Sequence, residues 1–183
     1  MIGAMAEDPS IDDDRQARFN ELFDRHYPAV RAYAARRTTT AGVVDDVLSE
    51  TFLVAWRRID SVPADALPWL LAVARRVLAN QRRGEARRGA LVALLAGMLP
   101  RAPVVEADSE VFGDLSEGLA ALAPREREAL LLVAWEGLDP QRAARVVGCA
   151  PAAFRARLYR ARRRLAAQLQ AVPPEARLTE EAR

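Results

Sequence analysis

The apolar residues of this chain recur at helical spacing and predict a series of amphipathic helices. A first helix is predicted from about Gln16 to Arg37 and a second from about Val44 to Ile59. The turn-rich segment Asp60 to Leu67 is a loop, and Pro68 opens a long third helix. No segment shows the strict alternation of apolar and polar residues that a half-buried strand needs, so the predicted fold class is all-α.

A further group of helices is predicted in the C-terminal half of the chain. Pro124 opens one helix, and the pair Asp139–Pro140 supplies the N-cap and first-turn proline of the next. Gly148 suits the end of that helix, and Pro151 opens the last one. Two helices joined by so tight a turn make a helix-turn-helix, whose second helix fits the major groove of DNA.

Composition along the chain predicts two small helical domains joined by a flexible linker. A chain of 183 residues is long enough for two such domains. The predicted parts are a disordered acidic N-terminus (1–14), a first domain (15–88), a linker interrupted by glycine and proline (89–118), a second domain (119–171) and a tail (172–183).

The last helix combines an apolar stripe with an arginine-rich side. Phe154, Leu158, Ala161 and Leu165 form the stripe, and the 31 residues from 141 to 171 contain eight arginines and no acid. Arginine suits DNA recognition because its planar fork donates two hydrogen bonds to guanine or to a phosphate. A solvated basic face is the alternative. The candidate residues for reading duplex DNA are Arg155, Ala156, Tyr159, Arg160 and Arg163.

A second basic surface is predicted on the third helix and the loop before it. Arginines beside an aromatic ring and an amide suit single-stranded DNA, because bases stack on rings while arginine pairs with phosphates. The alternative for Trp69 is a place in the core. The candidate residues of this surface are Ser61, Trp69, Arg75, Arg76, Asn80 and Arg83.

The second helix carries an unusual outer side. Asp46, Ser49, Glu50 and Leu53 lie away from its apolar side, and a leucine among acids is more than a solvated face requires. These four residues are the candidates for docking on a protein partner. Single exposed apolar residues are common, however, so an ordinary solvent-exposed face is the alternative.

Composition excludes several kinds of site. The single cysteine cannot form an intramolecular disulfide, and a single histidine makes a zinc site from the usual ligands implausible. No apolar run approaches the roughly 18 residues of a membrane span, and the acidic N-terminus is unlike a signal sequence. We therefore expect a cytoplasmic protein without a cofactor and without membrane insertion.

Three segments together resemble the extracytoplasmic-function (ECF) sigma factors, the promoter-specificity subunits of RNA polymerase. DDVLSETFLVAW resembles their region 2 helix that docks on the polymerase clamp, and PWLLAVARRVLANQRR resembles the helix that meets the −10 element. LAALAPREREALLLVAWEGLDPQRAARVVGCAPAAFRARLYRARRRL resembles region 4, which reads the −35 element. The resemblance extends from about Phe19 to Leu169.

This resemblance implies partners and a mechanism. Core RNA polymerase, through the clamp and flap of its large subunits, and promoter DNA would be the partners, with an anti-sigma factor as regulator. Asp46 and Glu50, with Leu53, would dock on the clamp. The loop Asp60 to Leu67 would capture a base flipped from the −10 element, and melting would need no covalent chemistry, so the chain would not be an enzyme.

The recognition helix departs from the family pattern at its start. Family members commonly carry Gly-Thr-Val and a serine soon after, where this chain has Ala152, Ala153, Phe154 and Ala156. The missing hydroxyls remove hydrogen bonds to phosphates and base edges. The acidic position of the preceding helix is Arg142 or Ala143 here.

Two other classes of function are compatible with parts of the sequence. A stand-alone regulator using only the helix-turn-helix would bind one specific duplex tightly without polymerase. An enzyme acting on nucleic acid would need an active site, but one histidine, one cysteine and no glycine-rich phosphate loop leave little to build it from.

Overall fold

The computed structural model describes residues 9–38, 40–96 and 113–171, and the chain divides into two compact units between Pro103 and Val104. All regular secondary structure in the described ranges is helical, which confirms the all-α prediction there. Each helix in those ranges is too short or too polar to cross a lipid bilayer.

The N-terminal unit is built from three α-helices and one short 3₁₀ turn. Helix α1 is Pro9–Ala35, α2 is Ala41–Arg57, the 3₁₀ turn is Ile59–Ser61 and α3 is Ala66–Ala96. Each of the three helices packs against the other two, and the 3₁₀ turn contacts α1. The unit is thus a small helical bundle, as predicted.

The core of this unit is formed by one apolar stripe from each helix. The largest fully buried side chains are Val30, Tyr33, Val47, Thr51, Ile59, Pro68, Leu70 and Leu71. An aromatic cluster extends this core between α1 and α2, with ring centres 4.7 Å apart for Phe23 and Phe52 and 5.3 Å apart for Phe19 and Trp56. Such ring pairs stabilise a fold beyond the apolar area that they bury.

Helix α1 begins earlier than the sequence indicated. Residues 9–14 were predicted to be disordered, and this is wrong because α1 begins at Pro9. Proline is well placed in a first helical turn, where its missing N–H has no partner to lose, and Asp12 lies near the positive end of the helix dipole. The acidic residues that suggested disorder therefore lie in the first turns of α1. Residues 1–8 lie outside the described ranges.

The C-terminal unit contains four α-helices: α4 is Gly113–Ala121, α5 is Pro124–Ala134, α6 is Pro140–Val147 and α7 is Pro151–Ala171. Helices α4, α5 and α6 all pack against α7, and α5 also packs against α6. The fully buried residues Leu132, Leu138 and Phe154 lie at the centre of this unit. Helices α6 and α7 form the predicted helix-turn-helix.

The predicted linker, 89–118, is helical at both ends. Helix α3 continues to Ala96, and α4 covers residues from 113 onward. Glycine interrupts both segments, yet one glycine costs a helix only about 1 kcal/mol relative to alanine. Good helix formers on either side of it can offset that cost. The remaining residues of this stretch, 97–112, and the predicted tail, 172–183, lie outside the described ranges.

Helix α4 is packed into the C-terminal unit. A methyl group added at Gly118 would come within 2.9 Å of Leu165 Cδ1, so glycine permits the close approach of α4 to α7. The guanidinium of Arg127 on α5 donates hydrogen bonds to the carbonyl oxygens of Leu119 (2.6 Å) and Ala120 (2.5 Å), at the C-terminal end of α4. These contacts explain why a segment with linker-like composition is ordered.

The turn signals of the helix-turn-helix are confirmed. The Asp139 side chain accepts hydrogen bonds from the backbone N–H groups of Gln141 (2.8 Å) and Arg142 (2.9 Å), as an N-cap does. Pro140 is the first residue of α6, and Gly148 ends it with a left-handed φ of 70°. Local sequence therefore determines where α6 begins and ends.

Replacing Asp139 with alanine is expected to destabilise the C-terminal unit by about 1 kcal/mol, because two helical N–H groups lose their acceptor. Asp139→Asn keeps a side-chain oxygen and should unfold close to wild type. Urea unfolding followed by far-UV circular dichroism measures both changes. Identical unfolding of Asp139→Ala and wild type would contradict the role of this cap, and Gln141→Ala, at an exposed neighbour, is the control.

Candidate nucleic-acid and docking surfaces

The outer side of α7 carries all five residues predicted to read duplex DNA. Phe154 and Ala161 are fully buried and Leu158 is 5% exposed, so the apolar stripe packs into the unit as predicted. Leu165 is half-buried. The exposed residues are Arg155, Ala156, Tyr159, Arg160 and Arg163. One helix face is thus held by the core while the other presents arginine side chains.

The departures from the family pattern fall on both sides of α7. Ala152, Ala153 and Ala156 are exposed, so the missing hydroxyls would have been on the accessible surface. Phe154 is fully buried and changes the core instead. Tyr159 is 63% exposed, and the guanidinium carbon of Arg163 lies 6.0 Å from its ring centre, at the outer limit for a cation–π contact.

A buried carboxylate on α5 contacts this arginine face. Glu126 is 7% exposed, and its Oε2 accepts a hydrogen bond of 2.7 Å from Arg164 Nη1. Its Oε1 lies 4.0 Å from Arg160 Nε. Sequence reasoning missed Glu126, because its partners lie more than thirty residues along the chain (|i−j| = 38 for Arg164). The alternating Arg-Glu-Arg-Glu at 125–128 was the only available signal.

Helix α3 presents most of the second predicted DNA surface. Arg76, Asn80 and Arg83 are exposed and are spaced i, i+4 and i+7, which places them on one side of the helix. Arg83 donates a hydrogen bond to the Asn80 side-chain oxygen. Trp69 and Arg75 are half-buried. Trp69 is therefore partly in the core and partly accessible to solvent.

Ser61 lies on a different element from the other members of this set. It is exposed in the 3₁₀ turn, and its hydroxyl donates a hydrogen bond of 3.0 Å to the carbonyl oxygen of Arg58. The 3₁₀ turn and the residue after it are held against α1: Arg15 Nε lies 3.8 Å from the Asp60 carboxylate, and Arg18 Nη2 donates a hydrogen bond of 3.4 Å to the carbonyl oxygen of Val62. These α1 contacts were not predicted from the sequence.

Arg37, just beyond the end of α1, contacts the arginine side of α3. Arg82 Nη2 donates a hydrogen bond of 2.8 Å to the backbone carbonyl of Arg37. The Arg37 guanidinium lies 3.5 Å from the ring centre of Tyr33, which is fully buried. Arg82 is the sequence neighbour of Arg83 on α3, and its contact with Arg37 was not predicted because the two residues lie 45 apart in the chain.

The predicted docking residues share one exposed side of α2. Asp46, Ser49 and Glu50 are exposed and Leu53 is 45% exposed, at spacing i, i+3, i+4 and i+7. We call these four residues the docking face. Beside it lies an open cleft of about 190 Å³. The cleft is lined by Phe23, Tyr27, Asp45, Leu48, Ser49 and Phe52, of which only Ser49 was predicted.

Comparison with known proteins decides the family. The family model for Sigma-70 region 2 matches residues 22–88, and the model for Sigma-70, region 4 matches residues 112–165. The ECF RNA polymerase sigma factor EcfG of Rhodopseudomonas palustris is 34% identical over 145 residues, which cover 78% of this chain and 80% of that protein. The chain belongs to the ECF sigma factor family. Sigma factor CarQ of Myxococcus xanthus is 30% identical over 155 residues, and the match covers 81% of this chain and 87% of CarQ.

Two solved structures have the same fold. Sigma factor RpoE in complex with the anti-sigma factor NepR, from Bartonella quintana, has a TM-score of 0.61 and 26% identity over 85% of this chain and 98% of that chain. CnrH in complex with the cytosolic domain of CnrY has a TM-score of 0.58 and 27% identity over 85% and 89%. As an ECF sigma factor, this chain is a DNA-binding promoter-recognition subunit of RNA polymerase.

Proposed function

We propose that this sigma factor divides promoter recognition between its two units, with α7 reading the −35 duplex and α3 binding the opened −10 element. The observation that supports this division is that each helix is anchored by buried apolar residues and presents arginine on its exposed side. Arginine in this setting can pair with phosphates and with base edges.

On α7, Arg155, Arg160 and Arg163 are the proposed contacts to guanine edges and phosphates, and Tyr159 is the proposed hydrogen-bonding aromatic. Ala156 is exposed and small. It suits close approach to the groove and apolar contact with a thymine methyl group. Because an α-helix fits the major groove, these side chains can reach base edges once α7 enters it.

On the N-terminal unit, Arg75, Arg76 and Arg83 would hold the phosphates of the separated strand. Trp69 would stack on a base, and Asn80 would donate to or accept from a base edge. The loop that contains Ser61, braced by Arg15 and Arg18 of α1, would receive a flipped base. Flipping costs a few kcal/mol. Binding energy supplies that cost, so the factor melts DNA without covalent chemistry and is not an enzyme.

The docking face is the proposed contact with the polymerase clamp. Asp46 and Glu50 would pair with basic residues of the clamp, while Leu53 and Ser49 pack at the same contact. The C-terminal unit would bind the flap. Charged residues around one apolar contact raise the association rate, because complementary charges steer the two proteins together. They also fix the orientation in which the proteins bind.

We also propose that an anti-sigma factor regulates this chain in the cytoplasm. The similar sigma factor RpoE forms a complex with the anti-sigma factor NepR, and the similar protein CnrH forms a complex with the cytosolic domain of CnrY. An anti-sigma protein that covers the docking face here would exclude polymerase, because Leu53 and its acidic neighbours would be buried in a competing interface.

Reconstituted transcription tests the proposed function. Core polymerase, the full chain and a promoter taken from DNA that the tagged factor binds in its own host should yield specific transcripts, whereas core alone should not. A template already melted at the −10 element should relieve the requirement for α3 but retain the requirement for α7. Transcription that does not depend on the factor would reject the proposal.

Single arginine substitutions should separate the two DNA surfaces. Arg163→Ala is expected to cost about 1–3 kcal/mol of promoter affinity and to relax preference at one −35 position. Arg76→Ala should instead slow promoter opening. Footprinting and opening rates of the holoenzyme measure the two effects, with Arg125→Ala, an exposed arginine of α5, as control. Altered −10 contacts in Arg163→Ala with intact −35 contacts would contradict this assignment.

A further inference from the structure

In the described part of the C-terminal unit, Glu126 is the buried acid. Its carboxylate contacts two arginines of α7, Arg160 and Arg164. A buried charge is costly unless it is paired. Arg164 supplies the partner, with a 2.7 Å bond to Oε2, at the distance expected for a charge-assisted hydrogen bond. Because one oxygen of the carboxylate is fixed in this way, the position of the other oxygen is fixed as well.

That second oxygen faces a proposed DNA-reading residue. Oε1 lies 4.0 Å from Nε of Arg160, which is beyond hydrogen-bond length but within an ion pair. The side chain of Arg160 is nonetheless 57% exposed. We infer that Glu126 is a positioning residue, which holds the guanidinium of Arg160 so that its outer N–H groups face the −35 duplex. This inference rests on the function proposed above for α7.

The chemistry of guanidinium explains why the contact through Nε matters. Arginine has five N–H donors on a rigid plane, one on Nε and four on the two terminal nitrogens. A carboxylate at the Nε edge leaves the terminal pair available for the O6 and N7 acceptors of guanine, which this fork matches. Glu126 would therefore direct Arg160 without occupying the donors that read the base.

Positioning of this kind also lowers the cost of recognition. A long exposed side chain loses rotamer freedom when it binds, and a partner that restricts it beforehand reduces that loss. The charge balance favours the same role, because two arginines share one carboxylate and the helix face keeps a net positive charge toward DNA phosphates. Arg164 secures the acid, and Arg160 keeps its terminal N–H groups available for the duplex.

A purely structural role for Glu126 makes a different prediction. If the carboxylate only secures α5 against α7, its loss should weaken binding to every −35 sequence by the same factor. If it positions Arg160, its loss should flatten the preference at one base position and leave the other positions unchanged. Sequence preference therefore distinguishes the two roles, whereas overall affinity does not.

The test uses holoenzyme assembled from core polymerase and the full chain. Its probe is a library of promoter duplexes with a randomised −35 region and one fixed −10 element. Arg160→Ala should identify the position that Arg160 reads. Glu126→Gln should reduce discrimination at that same position about fivefold, at the low end of what one base contact contributes. The double variant should lose little more than Arg160→Ala alone, since the two residues act through one contact.

A matched control separates positioning from simple charge loss. Glu117→Gln removes the same charge from an exposed site on α4 of the same unit and should leave the −35 preference intact. If Glu126→Gln does not fold, Glu126→Asp keeps the charge but withdraws the carboxylate by one methylene, and the same flattening is expected.

Three outcomes would overturn the inference. Uniform weakening by Glu126→Gln with its base preference intact would leave only a packing role. An unchanged −35 base preference in the Glu126→Asp variant would likewise leave only a packing role for Glu126. Arg160→Ala with an unchanged −35 preference would reject both the reading role of Arg160 and its positioning by Glu126. Factor-dependent transcription by the wild-type chain would in that case still support the proposed sigma function.

Discussion

Reversing Asp46 and Glu50 together to arginine is expected to weaken binding to core polymerase by about a hundred- to a thousandfold. The two carboxylates lie one turn apart on the docking face, and the exposed Leu53 lies one turn beyond Glu50. Placing like charges against a basic partner surface costs several kcal/mol, in addition to the attraction that is lost. The effect should decrease with added salt, because exposed charges are screened.

The substitutions should leave the N-terminal unit folded, because both positions are exposed and surface changes usually alter stability little. Asp13→Arg with Asp24→Arg is the matched control: it makes the same change of charge at two exposed positions of α1. Binding titrations of labelled factor with core polymerase measure the difference. Equal affinity for the docking-face variant and wild type would reject the assignment of this face to polymerase.

Local signals in the sequence were sufficient to predict the C-terminal helices. Asp139, Pro140 and Gly148 are found at the cap, first turn and end of α6, as expected. Phe154 and Leu158 are buried in α7. These features depend on interactions within a few residues, such as N-capping and apolar periodicity, so a single sequence contains the information that determines them.

Composition was a poorer guide where tertiary packing decides the structure. Acidic residues and a proline suggested disorder at 9–14, and glycines suggested a linker at 113–118, but both segments are helical. At Gly118 the glycine serves close packing against Leu165. The same residue type marks a flexible segment or a tight helix contact, and only the neighbouring helix determines which.

Contacts between distant residues could not be predicted from spacing along the chain. The Arg164–Glu126 bond joins residues 38 apart in sequence, and the Arg82–Arg37 bond joins residues 45 apart. Helical periodicity assigns residues to a face, but it does not identify what the neighbouring helix presents to that face. The arginine sides of α3 and α7 were therefore predictable, while the groups that orient their side chains were not.

Promoter affinity is expected to rise at least about a hundredfold when core polymerase is added to this factor. Each unit carries its own basic surface, so either unit by itself can contact only part of the promoter. For the −35 duplex, that contact would be made by α7 alone. Two linked modules gain about 10² to 10⁴ in affinity only when their geometry lets both engage together. Polymerase would supply that geometry by docking the N-terminal unit on the clamp and the C-terminal unit on the flap.

The free chain should still bind DNA weakly and without sequence preference, since arginine–phosphate attraction does not depend on base sequence. Titrations of promoter and scrambled duplexes, with and without core polymerase, must therefore be compared at one fixed salt concentration, because such affinities fall steeply with salt. The docking-face variant should lose the gain that polymerase confers but keep the weak binding of the free chain. Equal and sequence-specific affinity with and without polymerase would instead favour a stand-alone regulator, because α7 would then suffice for recognition.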